Sequence, residues 1–172
     1  MAIFVFTEVM LFAAFISAFA IVQNAALPGM WPPPGQPRLP FERTAFNTVA
    51  LLVSGVLLFV GHRAARSKGV AAAERWLIGA IVLGAFFVFA QGAEWAALLG
   101  QGMTLTSSQV GSFFYLIVGA HALHAVAAIL ALVVCWVRLR AGRLTSSVFG
   151  TVQLFWYFVV LMWPFLYLVV YR

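Results

Sequence analysis

Long apolar segments separated by short polar breaks make up most of this chain. Five of them lie at about residues 3–26, 44–62, 76–100, 109–137 and 147–171. Each reaches the ~20 residues that a helix needs to cross ~30 Å of hydrocarbon. Apolar and polar residues do not alternate within them, as they would in the strands of a transmembrane barrel. The pattern therefore predicts an all-α integral membrane bundle of five transmembrane helices, forming a single domain over residues 1–172.

The first two breaks have distinct characters. The stretch from Pro28 to Pro40 is rich in proline, which forbids helix, so we expect a loop there. The first segment has no basic region before it and carries Glu8, so we expect a retained helix and not a cleaved signal peptide.

Composition supports the membrane interpretation. Hydrophobic residues make up 65% of the chain and charged residues 8%, which is outside the range of soluble domains. The net charge of +6 comes from cations between the segments or at their edges, without the interleaved aromatic residues of a nucleic-acid surface, so we expect no nucleic-acid partner. The single cysteine, Cys135, excludes an internal disulfide and a multi-cysteine metal site.

The distribution of cations predicts the orientation. Seven of the ten lie in the breaks after the second and fourth segments: Arg63, Arg66, Lys68, Arg75, Arg138, Arg140 and Arg143. Such loops are typically cytoplasmic. We therefore expect the N-terminus in the cytoplasm, the C-terminus outside, and a multi-pass protein of a bacterial inner membrane.

Polar residues inside the third and fourth segments are the candidate site. His121 and His124 are three residues apart and share one face of a helix, while Gln91 and Glu94 lie near the far end of the third segment. The short link between the segments makes their helices antiparallel neighbours. We expect an intramembrane polar cluster of these four residues, which either holds the bundle in register or has a functional role.

The residues offer few routes to chemistry of their own. Two histidines at i and i+3 on one helix cannot take the opposite axial positions of one haem, and His62 lies nearer the cytoplasmic end. No nucleophile with an adjacent base and no phosphate loop is present in the sequence. A haem b membrane anchor of a quinone-linked oxidoreductase, using His62 and His124, stays open. So does a small transporter, although the sequence has no internal repeat.

Five short motifs follow one another in an order that resembles a known family. They are Thr7-Glu8-Val9-Met10, Trp31-Pro32-Pro33, Leu51-Leu52-Val53-Ser54-Gly55 with His62 seven residues after the glycine, Gln91-Gly92-Ala93-Glu94-Trp95, and Gly111-Ser112 with Phe114, Gly119, His121, Leu123 and His124. On these motifs the chain is similar to subunit III of the haem-copper oxidases, the cytochrome c and quinol oxidase complexes, in a short five-helix form. It departs from the family in the last helix, where Trp156-Tyr157-Phe158-Val159-Val160 stands for the usual Trp-His-Phe-Val-Asp.

The resemblance implies an accessory subunit of a proton-pumping terminal oxidase in the aerobic respiratory chain. Such a subunit has no catalytic, cofactor-binding or metal-binding residues, and its partners carry the haem and copper. It would pack directly against catalytic subunit I and contact other subunits of the respiratory complex. There it would stabilise subunit I, assist proton uptake on the cytoplasmic side and bind phospholipid. Glu8 is the candidate for a proton-related or lipid-related role, whereas any role of the family's last-helix His and Asp is absent.

The predicted orientation can be tested directly. Cysteines placed at Gly69 and Gly102 should be labelled by a membrane-impermeant reagent from opposite sides of the membrane, because one lies in a basic loop and the other in an uncharged one. Labelling of both positions from the same side would contradict the orientation.

Overall fold

The structure is a computed structural model, and it describes residues 1–26, 39, 41–67 and 70–171. The expected proline-rich loop, including Trp31-Pro32-Pro33, lies outside the described residues except for Leu39. Five helices account for most of the rest: α1 (Ala2–Ala25), α2 (Phe41–Ser67), α3 (Val70–Gly100), α4 (Gln109–Arg140) and α5 (Ser146–Val170). All five are long and apolar enough to cross a membrane, which confirms an all-α fold with five such helices.

Helices α2 and α3 extend beyond their predicted ends. The second helix begins at Phe41, before the expected Thr44, and the third begins at Val70, before the expected Trp76. Hydropathy marks the part of a helix that suits hydrocarbon, and the backbone hydrogen bonds continue into its polar ends. Both helices are therefore longer than their apolar segments.

The start of α4 is fixed by local hydrogen bonds. Ser108 caps the helix by accepting a hydrogen bond from the backbone N–H of Gly111 at 3.0 Å. A Cβ atom on Gly111 would lie 2.5 Å from the carbonyl oxygen of Thr104, so only glycine allows the preceding turn to approach this closely.

The helices alternate in direction. Helices α1, α3 and α5 finish at the end of the bundle where α2 and α4 begin, and we call this the Phe41 end. The opposite end, where α4 finishes, is the Arg140 end. Aromatic contacts show the arrangement: Phe19 of α1 meets Phe113 of α4 at 5.8 Å between ring centres, and Phe41 stacks on Tyr167 of α5 at 4.9 Å.

The centre of the bundle is formed by α2, α3, α4 and α5. The α2–α3 hairpin has the most extensive interface, α4 packs on α3 and α5, and α5 also packs on α2. Small residues allow close approach, because a Cβ on Gly84 of α3 would lie 2.5 Å from the Trp156 ring. Trp156 is fully buried, so α5 is seated directly against the backbone of α3.

Helix α1 is peripheral. It packs on α4 and α5 alone among the described helices, and its buried residues are Phe12 and Phe19. Its other faces carry exposed apolar side chains such as Ile3 and Phe6, which are 82% and 66% exposed. Helix α1 therefore presents an apolar surface to its surroundings.

Candidate functional site

A buried polar cluster joins α2 and α3 near the Phe41 end. The Thr44 hydroxyl donates to Oε2 of Glu94 at 2.8 Å, and the Asn47 amide donates to Oε1 of Glu94 at 3.2 Å. The same amide nitrogen donates to Oε1 of Gln91 at 3.1 Å, and the Gln91 amide donates to the Tyr171 hydroxyl at 3.1 Å. We call these five residues the Glu94 cluster.

Two further hydrogen bonds attach α5 to α2 in this half of the bundle. The Trp163 indole donates to the Thr48 hydroxyl at 2.8 Å, and the Tyr167 hydroxyl donates to the backbone carbonyl of Phe41 at 3.0 Å. Polar contacts that cross between helices are what specify packing in a bilayer, where the surrounding lipid is as apolar as the side chains. The Phe41 end is therefore held by a network that spans three helices.

A second polar site lies toward the Arg140 end and joins α1 to α4. Nε2 of His124 lies 3.0 Å from Oε2 of Glu8, and the two side chains are each 16% exposed. The other ring nitrogen, Nδ1, lies 2.7 Å from the backbone carbonyl oxygen of Ala120. We call this the Glu8–His124 pair.

A hydrogen bond between Glu8 and His124 requires a proton between Oε2 and Nε2. A carbonyl oxygen can only accept, so Nδ1 carries a hydrogen and donates it to Ala120. A neutral imidazole then has only a lone pair at Nε2. The 3.0 Å contact with Glu8 is a hydrogen bond only if His124 is protonated, or if Glu8 is the protonated acid. Either arrangement places one exchangeable proton between α1 and α4.

Aromatic rings enclose the pair on the bundle side. Phe12, Phe155 and Phe158 surround the His124 ring, with ring centres 5.6, 6.3 and 5.9 Å away. Apolar walls strengthen electrostatic interactions, because they displace the water that would screen them. Glu8 and His124 are partly exposed on the other side, so the pair lies at the edge of the bundle and not in its centre.

His121 does not belong to either polar site. Its ring packs among Phe12, Phe87 and Trp163 at 6.2, 6.4 and 5.1 Å, and neither ring nitrogen has a hydrogen-bond partner among the described residues. The single cluster expected for Gln91, Glu94, His121 and His124 is therefore divided: Glu94 and Gln91 turn toward α2, and His124 turns toward α1. The reason is depth, because His121 meets α3 at Phe87, about 10 Å along the helix from Glu94.

Sequence reasoning missed Thr44, Asn47 and Tyr171 as members of the site. The signal for the first two was available, because Thr44 and Glu94 stand at nearly equal distances in sequence from the α2–α3 link. In an antiparallel hairpin, equal distances from the link put residues at the same depth. The partnership of Glu8 with His124 had no such signal, because the helices that carry them are far apart in the chain.

A third polar contact joins α3 to α4 at the Arg140 end. Glu74 accepts a hydrogen bond from the Trp136 indole at 3.0 Å and pairs with Arg140 at 3.5 Å. The Arg140 guanidinium lies 5.5 Å above the Trp136 ring, within the range of a cation–π contact. This contact is partly exposed and orients the ends of two helices.

No metal site is formed within the described part of the chain. No group of three or more His, Cys, Asp or Glu residues there is arranged to hold a metal ion. Cys135 is buried.

Comparison with known proteins identifies the family. A family model described as cytochrome c oxidase subunit III matches residues 1–172. The chain belongs to this family. The motif resemblance is thereby confirmed, and the chain is an accessory subunit III of a haem-copper oxidase, which works in a complex with other oxidase subunits.

Curated relatives agree. Cytochrome c oxidase subunit 3 of Pelomedusa subrufa is 32% identical over 178 residues, covering 99% of this chain and 67% of the relative. The probable cytochrome c oxidase subunit 3 of Nocardia farcinica is 30% identical over 175 residues, covering 96% of this chain and 82% of the relative. The probable subunit of Mycobacterium tuberculosis strain H37Rv is 31% identical over 172 residues, with coverage of 96% and 82%.

The positions where this chain departs from the family pattern in α5 have other contacts here. Val160, which stands for the usual Asp, is buried, and its Cγ1 would lie 3.1 Å from a Cβ on Gly55. Tyr157, which stands for the usual His, accepts a hydrogen bond from the Gln153 amide at 2.6 Å. In this subunit III, α5 packs at one of these positions and bonds within its own helix at the other.

The Glu94 cluster can be tested by replacing its acceptor. Glu94→Leu removes the carboxylate that accepts from the Thr44 hydroxyl and from the Asn47 amide, and it should destabilise the chain by about 1–3 kcal/mol. Glu94→Gln keeps an acceptor for Asn47 and a polar contact with Thr44, so it should cost less. Unfolding in mixed micelles of mild detergent and dodecyl sulfate gives the difference.

A double replacement tests whether Glu94 and Asn47 stabilise the chain through their mutual hydrogen bond. Glu94→Leu combined with Asn47→Leu should be less destabilising than the sum of the single changes, because it removes both partners and strands fewer polar groups. Additive losses, or equal losses for Glu94→Gln and Glu94→Leu, would show that the hydrogen bonds do not hold these helices.

Proposed function

We propose that this subunit III packs directly against catalytic subunit I of a proton-pumping terminal oxidase in the aerobic respiratory chain. It stabilises that subunit during oxygen reduction, assists proton uptake and binds phospholipid. The haem and copper belong to the partner subunits. The observation that carries the proposal is the Glu8–His124 pair, which holds an exchangeable proton at a partly exposed position inside a membrane helix bundle.

The orientation proposed from the sequence puts this pair near the cytoplasmic side of the membrane. Seven of the ten cations in the sequence lie in the polar breaks after the second and fourth apolar segments, which favours the Arg140 end as the cytoplasmic one in a bacterial inner membrane. Glu8 stands in the second turn of α1, counted from the same end. Protons taken up from the cytoplasm would therefore reach Glu8 after a short distance.

The peripheral position of α1 supports docking on another membrane subunit. Its exposed side chains are large and apolar, and it is attached to the rest of the single membrane domain by few buried residues. Close packing and shape match drive association between membrane helices, so a helix with a free apolar face is suited to a neighbour. Subunit I is the neighbour that we propose.

His124 is poorly suited to the haem b anchor alternative. Both ring nitrogens of His124 are engaged, one by Ala120 and the other by Glu8. A haem ligand needs a free nitrogen that faces the iron.

Depletion and reconstitution of the complex test the proposal. An oxidase complex stripped of this chain should begin oxygen consumption at a substantial fraction of the normal rate and then lose activity during turnover, with its haem spectrum unchanged at first. Adding back the wild-type chain should restore sustained turnover. Adding back Glu8→Ala should not, because the pair and its proton are lost.

The Glu8→Gln variant removes the shared proton but keeps a hydrogen bond to His124. A glutamine can donate an amide hydrogen to Nε2 of a neutral His124, so it should assemble with the complex but still fail to sustain turnover. Glu74→Gln, at the same end of the bundle, is the control and should behave as the wild type. Sustained turnover with Glu8→Gln would overturn the proton role, and immediate loss of a haem band on depletion would overturn the accessory role.

A further inference from the structure

A groove on the outer face of the α2–α3 hairpin lies at the Phe41 end, away from the Glu8–His124 pair. Its cavity volume is about 610 Å³, within the usual range of small-molecule sites. Three alanines on one side of α3, Ala90, Ala93 and Ala97, leave the space, and Phe46 of α2 forms a wall. The groove is thus built by small residues on one helix beside a large one on the other.

The mouth of the groove carries opposite charges. Glu42 and Arg43, in the first turn of α2, line it together with Gln101 just beyond α3, and all three side chains are exposed. Glu42 and Arg43 form no ion pair with each other among the described residues, and Arg43 also attracts the Glu94 carboxylate in the wall of the groove. Deeper in the groove, the Glu94 cluster forms part of the wall, and its hydrogen bonds keep that wall in place.

The length of the groove matches one leaflet of a bilayer. From Gln101 to Ala90 the groove follows about 16 Å of α3, and half of a ~30 Å hydrocarbon core is ~15 Å. The charged mouth therefore lies at the level of the lipid headgroups, and the apolar floor extends toward the midplane.

We propose that this groove binds a zwitterionic aminophospholipid of the phosphatidylethanolamine class. Arg43 and the Gln101 amide bind the phosphate, Glu42 binds the ammonium group, and one acyl chain lies over Ala97, Ala93 and Ala90 against Phe46. Guanidinium–phosphate contacts are strong because both partners are charged. The inference rests on the proposed lipid binding of the subunit and names its place and headgroup.

Photolabelling tests this in the intact oxidase complex. The complex is placed in nanodiscs of phosphatidylcholine that contain a photoactivatable phosphatidylethanolamine, and the labelled peptides are mapped. Labelling should concentrate on the groove walls, in residues 41–47 and 90–101. Ala93→Trp fills the groove and should lower this labelling about tenfold, whereas the matched control Ala96→Trp, an exposed alanine outside the groove, should leave it unchanged.

Headgroup variants separate the two charges. Arg43→Gln should weaken labelling by photoactivatable phosphatidylethanolamine and phosphatidylglycerol alike, because both have the phosphate. Glu42→Gln should abolish the preference for phosphatidylethanolamine over phosphatidylglycerol and spare the rest. Arg143→Gln, at the other end of the bundle, should change neither.

Two results would overturn the inference. One is equal labelling in the wild type and Ala93→Trp. The other is loss of Ala93→Trp from the purified complex while Ala96→Trp is retained, which would show that another subunit occupies the groove. Neither result touches the accessory role, because that role is measured by sustained turnover of the depleted and restored complex.

Discussion

A polar group inside a bilayer must find its partner within the protein, and this constraint governs the whole bundle. Glu94, Asn47 and Gln91 are buried between α2 and α3, and they satisfy one another there. The same network reaches α5 through Tyr171. Because apolar contact with a neighbouring helix is little better than contact with lipid, such hydrogen bonds and close packing decide which faces meet.

The Glu94 cluster and the Glu8–His124 pair differ in how much other packing the joined helices share. The Glu94 cluster joins helices that already share large interfaces, whereas the Glu8–His124 pair joins α4 to a helix that has few other buried residues. In the proposed function, the position of α1 is therefore coupled to the proton between Glu8 and His124. If that proton left, a carboxylate would face an imidazole lone pair, and the contact would become repulsive. The proposed role therefore means that this proton affects where α1 lies next to a partner subunit.

Much of the fold could be predicted because its cause is local. Length and apolar composition determine that five helices can span a membrane, and the cations between them predict an orientation. The partners of the polar residues were harder, because they depend on the depth at which helices cross. His121 and His124 share a face by spacing alone, yet one turn of helix sends His124 to Glu8 and leaves His121 among aromatic rings. The division of the expected cluster could not be obtained from spacing, because it depends on where α1 and α3 lie relative to α4.

The state of the His124 ring tests the central claim most directly. Nitrogen NMR of the chain labelled with ¹⁵N-histidine, in lipid bilayers, reports which ring nitrogens carry hydrogen, and His124→Gln identifies the signals. The account predicts a protonated Nδ1 and an Nε2 that shares a proton with Glu8, and the Nε2 signal should shift in Glu8→Gln. A deprotonated Nδ1 with hydrogen on Nε2 alone, unaffected by Glu8→Gln, would contradict it.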